Sequence, residues 1–390
     1  MNEIIDTHDI TNLIKNIFGN RGEIIECKIT NFNSMGINFS SILYGINLNI
    51  QSVNKKENHQ IQIIAKLLPG KETQMKVNSK LGFLKEIKFY ETVIPFYKEI
   101  QIGSGLAEDE IVDIFPTYYG SVYSADDNND IILLSDLKEE HYKLKNLRTG
   151  LDYNHTCLVL QEIAKFHATG IALKKRDDKI FKTSLKLAAE PSLQNTTNPE
   201  RKLINLKFRG TIKHILSKMP ECKEYIKKVD QILESTDKQP IPNVREPFAT
   251  LLHNDLWYNN ILFKYQNGKP FKVKFVDFQT TVYNSPVRDI IHFIFTSTEE
   301  SVQQQFDHLV QVYYKSLSEY LVKLKCDLNE FNYTKFEEEI LLFGTTKMKH
   351  TILLYKDVCG SDFKSDKFDH SRFETSLRNL FYNFSKRNWI

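Results

Sequence analysis

The chain has 390 residues, 41% hydrophobic and 26% charged, which is enough apolar material for two cores and argues against extensive disorder. Fifty-two Lys and Arg against forty-nine Asp and Glu leave a net charge of +3, too weak a field to gather nucleic acid. Five cysteines, at positions 27, 157, 222, 326 and 359, are odd in number, far apart and without a Cys-x-x-Cys pair, so neither a disulfide framework nor a cysteine zinc site is expected.

In chain order, Ile10, Leu13, Ile14, Ile17 and Phe18 repeat at helical spacing and Gly19 follows as a stop, predicting a short amphipathic helix. The opening lacks a basic n-region with an apolar core, and no later run reaches membrane-spanning length, so the expectation is a cytoplasmic protein with reduced thiols and no membrane association. EIIECKITNF, SSILYGINLNI and HQIQIIAKLL are short, Ile-rich and separated by polar turns, which predicts an antiparallel meander. NSKLGFLKEIKFYETVIP returns to helical period and is expected to end at Pro95. A β-like run, DIILLSDL, covers 130–137.

Beyond it the patterns are helical. TCLVLQEIAKFHATGIALKK is a strong helix, residues 175–247 are mostly helical with breaks at Pro191, Pro220 and Pro240, and Phe306 to Leu324 form another amphipathic helix. The change of character near residue 135 predicts a β-rich first lobe over 1–134, a hinge at 135–138 and a larger, mainly helical lobe over 139–390.

The stretch LLHNDLWYNNILF, Leu251 to Phe263, sets polar residues between two apolar runs. Asn267-Gly268 then predicts a two-residue hairpin turn that pairs 260 with 275 and 258 with 277, making Asn260 and Asp277 diagonal neighbours about 7–8 Å apart at their Cα atoms. In that register Phe271, Val273, Phe275 and Asp277 share a face, so a carboxylate ends an apolar stripe and needs a partner or an ion. Magnesium suits such an oxygen-only set with substrate phosphates.

Asp255 precedes Asn260 by five residues with His253 two before it, the spacing of a kinase catalytic loop, in which the Asp takes a hydroxyl proton and the Asn holds a metal. Lys66 at the end of the third strand and Glu86 on the following helix supply the Lys–Glu pair that orients ATP phosphates in that fold. Between the first two strands Gly36, Asn38 and Ser40 are placed to offer phosphate donors, or equally to form a tight hairpin. Only eleven residues separate Asp277 from Asp289 and no Ala-Pro-Glu occurs, which leaves no room for a peptide-seating activation segment and points to a small acceptor.

Together GINFSSILYGI, IIAKLLP, FLKEIKFYETVIP, ILLSDL, IAKFHATGIAL, LLHNDLWYNNILF and VKFVDFQTTVYNSPVRDIIHFIFTS resemble the ecdysteroid kinase-like family, relatives of choline kinases and aminoglycoside phosphotransferases. Trp257 followed by Asn259-Asn260, and Asp-Phe-Gln in place of Asp-Phe-Gly, are the specific blocks. The resemblance implies an α+β, two-lobed protein-kinase-like fold and an ATP- and magnesium-dependent kinase acting on a hydroxyl of a small molecule, an ecdysteroid or hydroxylated xenobiotic. It implies Asp255 as base, Lys66 and Glu86 on the phosphates, Asn260 and Asp277 on magnesium, the backbone of Ser135 to Leu137 on adenine, and His253 and Asp289 as braces.

His167 matches a family position but sits on an amphipathic helix and is expected to be a packed core residue. Ser135 stands where relatives commonly have Glu, and Asn254 where Gly is usual. A choline-type alcohol kinase and a catalytically inactive nucleotide-binding protein of the same fold remain alternatives, and no nucleic acid, membrane or obligate protein partner is implied.

Overall fold

The computed structural model describes residues 7–19, 23–31, 41–51, 58–68, 79–123, 130–145, 150–191, 199–238, 243–360, 362–363 and 365–390. Gly36, Asn38 and Ser40 lie outside the described residues.

Strands β1 (Glu23–Asn31), β2 (Ile42–Gln51), β3 (Asn58–Leu67), β4 (Tyr118–Val122) and β5 (Ile131–Ser135) form an antiparallel sheet in the order β1-β2-β3-β5-β4. Period-two alternation puts Tyr44, Ile46, Leu48 and Ile50 of β2, Ile63, Ala65 and Leu67 of β3, and Ile131 and Leu133 of β5 on one face. Helix α1 (Thr7–Phe18) covers that face with Ile10, Leu13, Ile14 and Phe18. Lys66 has the opposite parity and points away from α1, between its strand neighbours Leu43 and Ile132. The sequence gives no sign of β4, because a register shift at Tyr118/Gly120 breaks its alternation and its first four residues are half-buried.

The helix expected to stop at Pro95 does not. Helix α2 (Ser79–Lys88) passes through a π turn, Phe89–Val93, into α3 (Ile94–Ser104). The Ile94 N–H reaches back five residues to the Phe89 carbonyl, and this wider turn accommodates the proline ring, which then occupies the first turn of α3, where no N–H is required.

The second core is mainly helical. Helix α4 (Tyr153–Arg176) runs through it and closes on β7 (Thr250–Leu252), with the Thr250 hydroxyl donating to the His167 carbonyl at 2.9 Å. Gly170 permits that approach, since an added Cβ would lie 2.4 Å from both Thr250 Oγ1 and Tyr97 Oη. The charged stretch forms α5 (Asp178–Thr183), α6 (Lys186–Ala189), α7 (Pro199–Ser217) and α8 (Ile226–Lys238). Pro191 follows α6 and Pro220 opens a 3-10 turn, whereas Pro240 lies outside the described residues. Helices α9 (Val287–Ser297), α10 (Glu300–Gln303), α11 (Phe306–Lys323), α12 (Tyr333–Phe343), α13 (Met348–Val358) and α14 (His370–Lys386) complete it.

A short strand β6 (Lys143–Leu144) and the hairpin β8 (Ile261–Gln266) and β9 (Lys269–Phe275) make a three-stranded sheet. Asn267 and Gly268 both have positive φ, 51° and 75°, as a tight hairpin turn requires. The register is as expected at the turn, Gln266 opposite Lys269, but a bulge shifts it by one, so that Ile261 rather than Asn260 faces Phe275. Pro270 has no N–H for a regular ladder here, and Phe271 becomes the extra, 39% exposed residue. The expected apolar stripe therefore starts at Val273. Strand β10 (Val282–Asn284) pairs with β7, Val282 opposite Leu252, and so brings the segments after Leu252 and before Val282 side by side.

Candidate active site

On the sheet side, Lys66 of β3 meets two carboxylates. Its Nζ lies 2.5 Å from Glu86 Oε2 of α2 and 2.7 Å from Asp277 Oδ1. Lys66 and Glu86 are buried, while the Asp277 side chain is 24% exposed and so open to a ligand. Burial works against the Lys66 ammonium, but the charges of Asp277 and Glu86 more than offset it and hold the amine above the usual lysine range. Burial pushes the Glu86 carboxyl up, against the pull of Lys66.

Asp277 sits just past β9 in a left-handed conformation, φ 70°, and Gln279 Nε2 donates to its Oδ2 at 3.3 Å. The glutamine of Asp-Phe-Gln thus holds the carboxylate from the side opposite Lys66. Phe278 turns inward and stacks on Phe89 of the π turn, ring centroids 4.0 Å apart and 7° from parallel, which packs the widened turn directly beneath the site.

The 253–260 loop is held by Asp289 of α9. Its Oδ2 accepts from the His253 N–H and its Oδ1 from the Asn254 N–H, both at 2.8 Å. His167 Nε2 lies 3.2 Å from the same Oδ2 and its Nδ1 is 2.8 Å from the Tyr313 hydroxyl, so the core histidine of α4 also orients Asp289. His253 Nδ1 accepts from the Asp255 N–H at 3.3 Å, which leaves Nε2 to donate to the Val276 carbonyl at 3.0 Å and tie the loop to the strand end. Asn254 takes the left-handed conformation at φ 67° and anchors itself by donating from Nδ2 to the Thr280 carbonyl at 3.0 Å. Asparagine tolerates that region better than other side-chain-bearing residues.

A 3-10 turn closed by the Asn260 N–H to the Trp257 carbonyl aims Asn260 back at Asp255, with Nδ2 donating to the Asp255 carbonyl at 2.9 Å and lying 3.3 Å from its Oδ2. The Val276 N–H donates to the Asn260 carbonyl at 3.0 Å, so Asp277 is one residue from the backbone bonded to Asn260. With its nitrogen turned to Asp255, Asn260 has its amide oxygen left for a cation.

Three further residues close on Asp255 and the Asn254 backbone, and two of them, Lys347 and His350, carry no signal in the sequence. His350 Nε2 of α13 is 3.4 Å and His292 Nε2 of α9 is 3.8 Å from Asp255 Oδ1. Burial pushes the Asp255 carboxyl up, but these imidazoles more than offset it and hold it well below the usual carboxylate range. Lys347, buried, donates to the Asn254 carbonyl at 2.6 Å; burial, with Arg288 nearby, brings its amine down to about 7. His292 follows Asp289 by three residues and was within reach of a helical-face reading, whereas Lys347 and His350 arrive from a helix some ninety residues on.

At the expected hinge, the Ser135 N–H donates to the Thr117 carbonyl at 2.8 Å and that of Asp136 to the Gln62 carbonyl at 3.2 Å. Ser135 Oγ donates to Glu140 at 2.8 Å, and the Leu137 carbonyl accepts from the Tyr142 N–H at 2.9 Å. Among the described residues the Leu137 N–H is given to no acceptor.

The pattern of the ecdysteroid kinase-like family matches residues 35–326. The chain belongs to this family. Membership, with the antiparallel sheet followed by a mainly helical lobe, makes it an α+β phosphotransferase of the kinase-like fold and supports a small molecule as its substrate. A search of curated proteins found no match.

Among solved structures, the GDP complex of wild-type aminoglycoside 2'-phosphotransferase-IIIa is 12% identical with a TM-score of 0.42, over 98% of this chain and 99% of that one. An ethanolamine kinase of Plasmodium vivax is 11% identical with a TM-score of 0.41, over 100% of this chain and 91% of that one. At that level of similarity they lend no weight to the assignment, which rests on the family and on the geometry above. No helix among the described residues is long and apolar enough to cross a membrane.

Proposed function

We propose that this family member is an ATP- and magnesium-dependent kinase that transfers the γ-phosphoryl group to a hydroxyl of a small molecule, with ecdysteroids and hydroxylated foreign compounds as the acceptor class. The observation that carries this reading is two clusters, Lys66–Glu86–Asp277 and Asp255–Asn260, joined where the Val276 N–H, one residue before Asp277, donates to the Asn260 carbonyl. Phosphoryl transfer needs little else from a protein beyond positioning and charge neutralisation.

In this reading Lys66 holds the α- and β-phosphates and Glu86 fixes its direction, while the free Leu137 N–H receives the adenine edge. Ser135 leaves that backbone contact unaffected, since its side chain turns to Glu140. The donor set fits magnesium: the partly exposed Asp277 carboxylate and the free Asn260 amide oxygen are hard oxygen ligands. When bound, the ion neutralises charge on the phosphates. Asp255 accepts the proton of the acceptor hydroxyl as its oxygen bonds to the γ-phosphorus and the bond to the bridging oxygen breaks, releasing ADP. His253 and Asp289 hold the loop without reacting.

A cavity of about 850 Å³ opens beside Tyr258, three residues after Asp255, between α9, α13 and α14. Its size suits a small organic ligand, and Phe295, Tyr355 and Arg372 give it both apolar and charged walls, but none of Lys66, Asp255, Asn260 and Asp277 lines it, so the acceptor is not assigned to it.

The test is purified protein with labelled ATP and a panel of sterols, glycosides and choline-like alcohols. Asp255→Ala and Asp277→Ala are each expected to lower turnover by about 10²–10⁴-fold with unchanged circular dichroism. Wild-type rates surviving in both variants would end the proposal, and ATP binding without any phosphorylated product would favour a nucleotide-binding protein without catalysis.

A further inference from the structure

His292 presents a difficulty that the reaction does not resolve. It is fully buried, and neither ring nitrogen has a hydrogen-bond partner. A neutral imidazole has one donor and one acceptor to satisfy, and leaving both unmet in the interior is costly. The nearest acceptor, Asp255 Oδ1, is 3.8 Å from Nε2, beyond hydrogen-bond reach, so that contact does not satisfy the ring. Its Nε2 instead faces the space between Asp255 Oδ1 and the His350 ring, whose centroid is 4.9 Å from that of His292.

We propose that Asp255, His292 and His350 form a second cation site, suited to a borderline transition metal such as Zn²⁺, whose occupation disables the catalytic carboxylate. One ligand atom from each of the three lies within 4.8 Å of the others, and the two distances to Asp255 Oδ1 are 3.4 and 3.8 Å. Tetrahedral zinc with bonds near 2.0–2.1 Å needs ligand separations of roughly 3.4 Å, which the two distances to Asp255 Oδ1 nearly meet, while the imidazole nitrogens, within 4.8 Å of each other, must close further. His350, with a side chain 49% exposed on α13, is free to supply that closure and leaves a path for entry.

Two imidazoles and a carboxylate are a zinc set with a fourth position open. Magnesium prefers oxygen ligands and resists dehydration, so it selects Asp277 and Asn260 and leaves the histidines to the softer ion. The binding half of the proposal stands on these three residues alone. The inhibitory half rests on the reading of Asp255 as base: Oδ2 already faces the Asn260 amide, so metal on Oδ1 leaves no oxygen for the acceptor proton.

The test uses full-length protein freed of metal and titrated with Zn²⁺ against a chromophoric chelator, with Co²⁺ as a spectroscopic probe. The expected result is one tight equivalent, a tetrahedral Co²⁺ spectrum without a thiolate charge-transfer band, and at least about 100-fold weaker binding in His350→Ala. At fixed Mg²⁺, Zn²⁺ should inhibit the wild type, and His350→Ala should need about 100-fold more to reach the same fraction of its own zinc-free rate. Equal zinc affinity with and without His350, or a thiolate band, overturns the site. Binding that depends on His350 while wild-type turnover is unaffected leaves the site standing and overturns both the inhibition and Asp255 as the base.

Discussion

Asp277 and Asp255, the two carboxylates framing the cleft, are held in opposite ways. Asp277 is 2.7 Å from a buried ammonium that is itself 2.5 Å from Glu86. Asp255 has no side-chain contact shorter than 3.3 Å, and its neighbours are an amide and two imidazoles. The sheet side is thus compensated by charge before any ligand arrives, whereas the loop side is built from backbone bracing, with the carboxylate comparatively unencumbered. A metal carboxylate benefits from the first arrangement, because Lys66 can pass to phosphate when an ion takes its place. Asp255 instead meets only neutral-capable partners, an amide and two imidazoles, which keep its carboxylate ionised and so ready to accept a hydrogen bond from a hydroxyl.

The largest break in this contrast comes from the sheet side. Lys66→Met would leave Glu86 buried opposite Asp277 with no cation between them, and stability should fall by about 3–5 kcal/mol in urea denaturation. Adding Glu86→Gln should recover part of the loss, since it removes the buried uncompensated charge. A loss below about 1 kcal/mol from the single change would mean that the triad is not a closed electrostatic unit.

On the loop side the corresponding buried cation is Lys347, whose amine is brought down to about 7 by burial. Below pH 7 it is charged in both folded and unfolded chains, and the full burial cost is present. Between pH 7 and about 10.5 the unfolded chain holds the proton while the folded one sheds it, so this residue's contribution makes stability rise with pH across that window. The rise should be on the order of 4–5 kcal/mol and should vanish in Lys347→Met, read as the difference between the two proteins' stability–pH curves. Parallel curves would show that Lys347 titrates alike in both states.

A third change acts through packing. Gly170→Ala would push a methyl group onto Thr250 and Tyr97 where α4 crosses β7, at a cost of about 1–3 kcal/mol. Because β7 leads into the Asp255 loop and not to Lys66, turnover should suffer more than ATP affinity. Equal losses in both would dissolve the distinction between the two sides.

Which parts of this could be read from the sequence follows from the range of the signal. Lys66, Asp255, Asn260 and Asp277 stand at or next to strand ends and Glu86 on the helix that follows Lys66, each within a motif of fixed spacing, so these five positions could be singled out locally. Asn267-Gly268 gave the hairpin turn because positive φ at both positions is a local demand. The bulge at Phe271 was hidden, since it depends on how Pro270 fails to complete a ladder across the strand pair. Pro95 does not stop the helix, because the rule for prolines assumes an α-helical turn and the π turn before it removes the clash. Lys347 and His350 reach the site only through the packing of α13 against α9, which no window of sequence records.

Asn254 offers the smallest effect and the finest test of the loop side. Two opposing terms meet in it: a left-handed backbone that glycine adopts without penalty, and a side-chain bond to Thr280 that glycine cannot make. Asn254→Gly relieves the first and forfeits the second, so the net change should stay within about 1 kcal/mol. Asn254→Ala keeps the backbone cost and loses the bond, and should be the worse variant by about 1 kcal/mol in thermal or urea unfolding. If the two variants prove equal, backbone strain is negligible and the Thr280 bond alone holds the turn; if glycine raises stability, the bond is dispensable and the loop is shaped by Asp289 alone.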